Sequence, residues 1–391
     1  MNGRLACCKT PIATTSTRGG EAAPAMRSPW LVPVGSCRAG PFERDETYAM
    51  IFLKEAGGSR WNPWLRAALG ALLVALSAVT AQSAYAAPAV DKCVVIDTDF
   101  DIDDMMAIPI VIGNRHVAAI VTSEGYTMAE SGAAALSRLV AEPNERQIPI
   151  IIGADTHRTE TELRKNWPWL PYFRAAMNRA NDWLAAPLTP ARRPFHNFVP
   201  ELSRATANCR KIDVLIIGTY TSFIRYSAAL ASKLERVVVM GKPIGDPTLK
   251  PGKYSFNCGY DLPACKTAME LLANVKTNWV DVPRGSDPLY EPSLNMVERL
   301  RADGLPGSLK AALLANQHTW NPTKVPASAG GPGGESLMWD QSAAIYLLHP
   351  ELFGPVGHHY EPLVLGGSHA RTNARLLRIW TRDTNAAAHF R

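Results

Sequence analysis

Asp97-Thr98-Asp99-Phe100-Asp101-Ile102-Asp103-Asp104 places five carboxylates in eight residues, directly after the apolar run Lys92-Cys93-Val94-Val95-Ile96. A short β-branched run of that kind reads as a buried strand. The acidic segment therefore sits on the lip of a sheet, at the carboxyl end of a strand, where α/β sheets bind ligands. Five like charges so close repel strongly unless a cation neutralises them. Carboxylate oxygens with no nearby Cys or His select a hard ion, Ca²⁺ or Mg²⁺. An acidic turn capping the next helix would explain one or two of the five, but not all of them.

The rest of the body alternates strand and helix signals. Met105–Ile112 reads as a helix, with Pro109 tolerable if it falls in the first turn or so. Val117–Thr122 and Ile148–Ile152 read as strands, with a helix over Gly132–Ala141 between them. Val214–Ile217 and Val237–Met240 are two more strands, separated by a helical stretch over Ser227–Leu234, and Asn278–Val282 is a later one. Strands separated by helix-length segments imply βαβ units. The expected class is α/β: a single-domain, open, mostly parallel sheet with helices on both faces. Residues 157–200 form a Trp/Pro/Arg-rich insertion and residues 320–337 a Gly/Pro-rich loop, both placed where active-site covers sit.

The front end reads differently. Ala67–Ala81 is uncharged and apolar, follows Arg60 and Arg66, and precedes the Ala84-Tyr85-Ala86 cleavage pattern. A basic flank, a short apolar run and a small-residue cleavage site describe a secretory signal peptide. The run is too short for a comfortable transmembrane helix, which needs about 20 apolar residues. Starting at Met50, the leader covers residues 50–86. Residues 1–49 have no periodic pattern and read as an upstream extension, leaving 87–391 as the folded domain. The expectation is an exported chain, periplasmic or secreted, with no stable membrane insertion once the leader is cleaved. Most of the net charge of +6 belongs to residues 1–86, and the body has a basic surplus of only two. A nucleic-acid binder needs a concentrated basic footprint, so that class is excluded. Four body cysteines (Cys93, Cys209, Cys258, Cys265) are too few for a disulfide scaffold. Cys258 and Cys265 could pair in an oxidising compartment, and no Cys/His spacing suggests zinc.

An EF-hand fails on the acidic motif, because Asp104 stands where that loop needs Gly and Ile110 where it needs Glu. A phosphatase of the haloacid-dehalogenase type has Asp-x-Asp after its first strand, but Asp101 replaces the usual Thr or Val. The better match is the nucleoside hydrolase family, whose mark is a strand followed by D-x-D-x-x-x-D-D, here Asp97, Asp99, Asp103 and Asp104. Val214–Ser222 resembles the family's central strand and turn, Arg236–Gly241 the next strand, Phe256–Ala264 its F-N-x-x-x-D segment, and Trp339-Asp340 the last calcium-ligating position. Order and spacing agree across residues 92–350.

This resemblance implies calcium-dependent hydrolysis of the N-glycosidic bond of ribonucleosides. Asp99, Asp104, Asp340 and the Ile217 carbonyl would hold Ca²⁺, and Asp99 would be the general base for the attacking water. Asp103 would accept a ribose hydroxyl, Asn257 would hold the 5′-hydroxyl side, and Trp339 would stack on the nucleobase as in the purine-specific branch. The small-molecule partner would be a nucleoside, and family habit implies a homo-oligomer. The chain also departs from the pattern. Tyr126 replaces a ribose-binding Asn, Ser255 replaces a Glu, and Phe100-Asp101 replaces Pro-Gly. These changes suggest a modified nucleoside, a related ribosyl substrate or reduced activity. Two alternatives follow: a non-catalytic calcium-dependent ribosyl-binding protein on the same fold, and the phosphatase. Trp167, Trp169 and Tyr172 could form the opposite face of a base sandwich. The scattered histidines are given no catalytic role, His318 being the best candidate of a weak set.

Overall fold

The computed structural model describes residues 89–140, 148–156, 158–172, 174–175, 198–283, 290 and 338–386. The upstream extension, the leader, the Gly/Pro-rich loop 320–337, His318 and most of the 157–200 insertion lie outside the described residues. Eight strands and the helices between them form one body. In chain order these are β1 (Val90–Thr98), α1 (Ile102–Asn114), β2 (Val117–Thr122), α2 (Ala129–Leu139), β3 (Ile150–Ile152), α3 (Glu160–Asn166), α4 (Val199–Ala205), β4 (Cys209–Ile216) and α5 (Phe223–Leu230). There follow β5 (Leu234–Met240), α6 (Phe256–Tyr260), α7 (Leu262–Leu272), β6 (Lys276–Val280), α8 (Trp339–Leu348), β7 (Phe353–Val356), β8 (His359–Pro362) and α9 (His369–Ala386). The sheet order is β3-β2-β1-β4-β5-β6-β8-β7. All neighbours run parallel except the β7–β8 hairpin at one edge. The order reverses between β1 and β4, the switch point at which such sheets hold ligands.

Period-two alternation assigns the faces. Val94 and Ile96 join one apolar layer with α1, α8 and Trp380 of α9. Cys93 and Val95 join the opposite layer with α4, α5 and α7. Both faces of β1 are thus covered, which explains a continuous apolar run instead of an alternating one. Helix α8 is buried along almost its whole length, so it is not amphipathic: its polar residues Asp340, Gln341 and Ser342 sit buried in its first turn and the rest of it is apolar.

Several element bounds move from the sequence reading. β1 continues through Asp97 and Thr98, because its last residues still pair with β2 and β4. Helix α1 starts at Ile102, so Pro109 lies in its interior and not in the first turn. Pro109 has no N–H to add to the helix ladder, and burial of the surrounding Ile108, Ile110 and Val111 holds the helix together. Leu234, expected in a helix, opens β5.

Both cysteine pairs are bonded, Cys93–Cys209 and Cys258–Cys265. The first ties β1 to β4 across 116 residues of sequence. Cross-links closing loops of that size stabilise by about 2–5 kcal/mol. A Cys93→Ser/Cys209→Ser chain should lose that much in urea unfolding, and an unchanged midpoint would show the bond to be idle. No helix among the described residues is long and apolar enough to cross a membrane.

Candidate active site

The acidic segment turns sharply at the end of β1. Phe100 has φ 45°, a left-handed conformation that costs a non-glycine residue roughly 1–2 kcal/mol. Its ring is fully buried, and its N–H donates to Thr98 Oγ1 at 3.0 Å. Asp101 then caps α1. Its carboxylate accepts the Asp103 N–H at 2.9 Å, while Asp104 accepts the Asp101 N–H at 2.9 Å, a reciprocal capping box. Thr98 Oγ1 also donates to Asp104.

Asp340 arrives from the first turn of α8, which packs along α1. Ligand oxygens of Asp101, Asp103, Asp104 and Asp340 lie within 4.8 Å of one another, and all four residues are buried. Burial, followed by mutual repulsion among the carboxylates, raises the whole group. Asp104 is pushed up to about 7, and Asp340 and Asp101 also lie well above the usual range. Asp103 is pushed up to about 7 as well, by burial against the opposing Asp101 hydrogen bond. Asp340 Oδ1 is buried without a hydrogen-bond partner. An all-carboxylate donor set, one oxygen of which lacks any partner, fits a hard divalent cation.

Asp99 flanks this group. Its carboxyl is raised by burial and then by Asp104 and Asp101, and its Oδ2 accepts the Tyr126 N–H at 2.7 Å. Two glycines make room for it. A Cβ at Gly125 would lie 2.0 Å from Asp99 Oδ2, and one at Gly218 2.5 Å from the Asp99 N. The cluster therefore contains Asp101, which the sequence reading counted only as an extra charge, while Asp99 stands beside the four with its carboxylate turned to Tyr126. Asp97 lies one pleat back. It accepts Ser123 Oγ at 2.6 Å and Tyr226 OH at 3.0 Å, and burial pushes its carboxyl up to about 7.

The remaining predicted residues surround this centre. The Ile217 carbonyl accepts Asn257 Nδ2 at 2.9 Å, so those two predicted residues are bonded to each other. Burial and the charges of Asp101, Asp103, Asp99 and Asp340 all hold the Tyr126 phenol in its protonated form. Its ring packs on Phe256 at 4.3 Å and on Trp169 at 5.6 Å. Trp167 stacks on Tyr260 at 5.2 Å, so Trp167 and Trp169 join one aromatic wall. Tyr172 does not; it is exposed beneath Arg164. Trp339 opens α8 and is half-buried against the first apolar layer.

Sequence reasoning missed a second polar layer. Glu124, Thr156, Arg174 and Tyr260 form a connected buried network behind residues 124–126. Another lies near the β7–β8 hairpin, where His359 bridges Asp246 and Glu361 at 2.8 and 2.9 Å. No local pattern marks either one.

The chain matches the family model described as inosine-uridine preferring nucleoside hydrolase over residues 94–387. Among curated protein sequences there is no match. Similar solved folds include a purine-preferring ribonucleoside hydrolase from Gardnerella vaginalis (15% identity, TM-score 0.51, covering 76% of this chain and 99% of that one). A plant nucleoside hydrolase, PpNRh1, aligns at 14% identity and TM-score 0.50 over 76% of this chain and 99% of its own. The type III effector protein XopQ, complexed with adenosine diphosphate ribose, aligns at 13% identity and TM-score 0.53 over 77% and 95%. These likenesses establish the α/β fold; the family match covers the acidic segment, the central strands and Asp340 together, and displaces the phosphatase alternative. The chain belongs to the inosine-uridine preferring nucleoside hydrolase family, and is an N-ribohydrolase that splits the N-glycosidic bond of nucleosides.

Proposed function

We propose that this enzyme is a calcium-dependent, exported N-ribohydrolase with a preference for purine nucleosides. The observation carrying the proposal is the convergence of Asp340 on Asp101, Asp103 and Asp104, with oxygens within 4.8 Å. Asp104 and Asp340 would hold the ion, with Asp99 and the Ile217 carbonyl as the further oxygens the family pattern supplies. When bound, calcium orients the ribose hydroxyls and lowers the pKa of a bound water.

The chain's own residues do the rest. Asp99 takes the proton of the attacking water. The water oxygen bonds to C1′ as the C1′–N bond breaks, that electron pair leaves with the base, and the departing nitrogen takes a proton from solvent while Asp99 returns its own to solvent. Positive charge builds on the sugar as in glycoside hydrolysis, and the buried carboxylates stabilise it where water is excluded. Asp103 accepts a ribose hydroxyl, Asn257 faces the 5′ side, and Tyr126 lines the sugar pocket. Trp339 offers a face to the nucleobase, a contact worth about 1–3 kcal/mol in nucleic-acid sites, and this supports the purine preference. Export is supported by the leader pattern in residues 50–86 and by the two disulfides, which persist in oxidising compartments. Self-association into a homo-oligomer is carried only by the family resemblance.

Release of reducing sugar from inosine, adenosine, guanosine and uridine, with and without a chelator, tests the reading. Turnover fastest on the purines and abolished by chelation is expected. Calcium-dependent binding with no ribose released from any of the four would instead favour a non-catalytic ribosyl-binding role, for which Tyr126 and Ser255, standing where the family pattern has Asn and Glu, are the motivating features.

A further inference from the structure

The geometry points to Arg174 as a positioning residue: its guanidinium clamps residues 124–126 against Asp99 from outside the carboxylate cluster. This rests on the N-ribohydrolase reading, in which Asp99 is the base. Asp99 Oδ2 accepts the Tyr126 N–H at 2.7 Å, and Gly125 leaves no room for a side chain beside that same oxygen. The path of this short turn and the aim of Asp99 are therefore a single constraint.

Arg174 grips the far side of the turn. Its Nη2 and Nε both donate to the Gly125 carbonyl, at 2.5 and 3.2 Å. Nη2 also donates to Tyr260 OH at 2.7 Å and lies 3.3 Å from Glu124 Oε1. Glu124 is fully buried and accepts further bonds from Tyr260 OH and from Thr156 N and Oγ1. Burial works against its charge, but the hydrogen bonds from Tyr260 and Thr156 and the Arg174 cation outweigh it and hold the carboxyl below the usual range. A further buried carboxylate close to the acidic group needs a counter-ion, and among the described residues Arg174 is the cation within ion-pair distance of it. A planar fork can serve carbonyl, phenol and carboxylate together, whereas a lysine ammonium is a single point charge. Arg174 stands outside every motif that identifies the family; it belongs to the Trp/Pro/Arg-rich insertion, whose aromatic residues pack on Tyr126 and Tyr260. The insertion is thereby coupled to the catalytic carboxylate.

The test uses the full chain and three variants, Arg174→Met, Arg174→Lys and the double Glu124→Gln/Arg174→Met, measuring kcat, KM, thermal midpoint and calcium affinity by titration calorimetry. Residues supporting a metal ligand change affinity or activity by about 10–100-fold when removed. Arg174→Met should lower kcat by that factor and weaken calcium binding about tenfold, with KM little changed. Arg174→Lys should regain the thermal midpoint but not kcat. The double variant has no unpaired buried carboxylate, and it too should regain the midpoint while keeping the loss in kcat. Wild-type kcat and calcium affinity in Arg174→Met, or recovery of kcat together with the midpoint in the double variant, would overturn the inference. Calcium titration needs no turnover. A wild-type chain that hydrolyses no nucleoside while Arg174→Met still weakens calcium binding would sink the proposed function and leave the clamp standing.

Discussion

An Asp99→Asn chain should fold and yet turn nucleosides over about 10²–10⁴-fold more slowly, the range associated with loss of a general base. The substitution is nearly isosteric. The amide oxygen can still accept the Tyr126 N–H that Asp99 Oδ2 now accepts at 2.7 Å, so the turn 124–126 stays in place. What disappears is the proton acceptor. The change also removes one carboxyl from a group whose members raise one another's pKa, so the calcium-free variant should melt no lower than the calcium-free parent. Those two results together separate chemistry from folding. The measurements are kcat at saturating inosine with excess calcium, and a thermal melt in chelator. A variant retaining more than a tenth of parental kcat would remove Asp99 from the role of base and turn attention to Asp101 or Asp103.

That the acidic segment could be singled out from the chain alone reflects the physics of burying charge. Five carboxylates following an apolar strand have few stable explanations, and they stand side by side in sequence. Strands β1, β2, β4 and β5 were legible for a similar reason, since apolar β-branched runs covered on both faces leave a local signature. Asp340 was different: one acidic residue in an apolar helix has no local meaning, and only the family pattern linked it to Asp104. Neither Glu124 and Arg174 nor Cys93 and Cys209 could be paired from sequence, because their proximity is made by topology. Cys209 meets Cys93 only because β4 lies next to β1, and Arg174, 50 residues further along the chain, meets Glu124 only through the tertiary fold. Asp101 was seen but undervalued. The same side chain caps α1 and joins the metal-fitting cluster, and sequence position alone gave no reason to choose between those roles.

The carboxylate group also makes a prediction about stability in which calcium reverses the sign. In the metal-free protein the carboxyls of Asp97, Asp103 and Asp104 are pushed up to about 7, against about 3.9 for an unfolded Asp. A folded-state pKa above the unfolded value means the native chain binds more protons than the unfolded one between those limits. Stability from these groups is then fully present below about pH 4 and is lost as pH rises through 7, with a slope of up to about 1.4 kcal/mol per pH unit for each group. Metal binding has the opposite requirement, because carboxylates must be deprotonated to coordinate. Excess calcium at 100 times its dissociation constant adds about 2.7 kcal/mol, and that gain shrinks as acid protonates the ligands. Melts in chelator should therefore show a thermal midpoint that falls from pH 5 to pH 8, while melts in millimolar calcium should show one that holds or rises, with the widest gap at pH 8. Asp340→Asn removes the cluster member that comes from the other end of the fold, and it should close most of that gap at pH 8. Parallel pH profiles with and without calcium in the parent chain would mean that these carboxylates do not share an ion, and the assignment of the metal centre would fail with them.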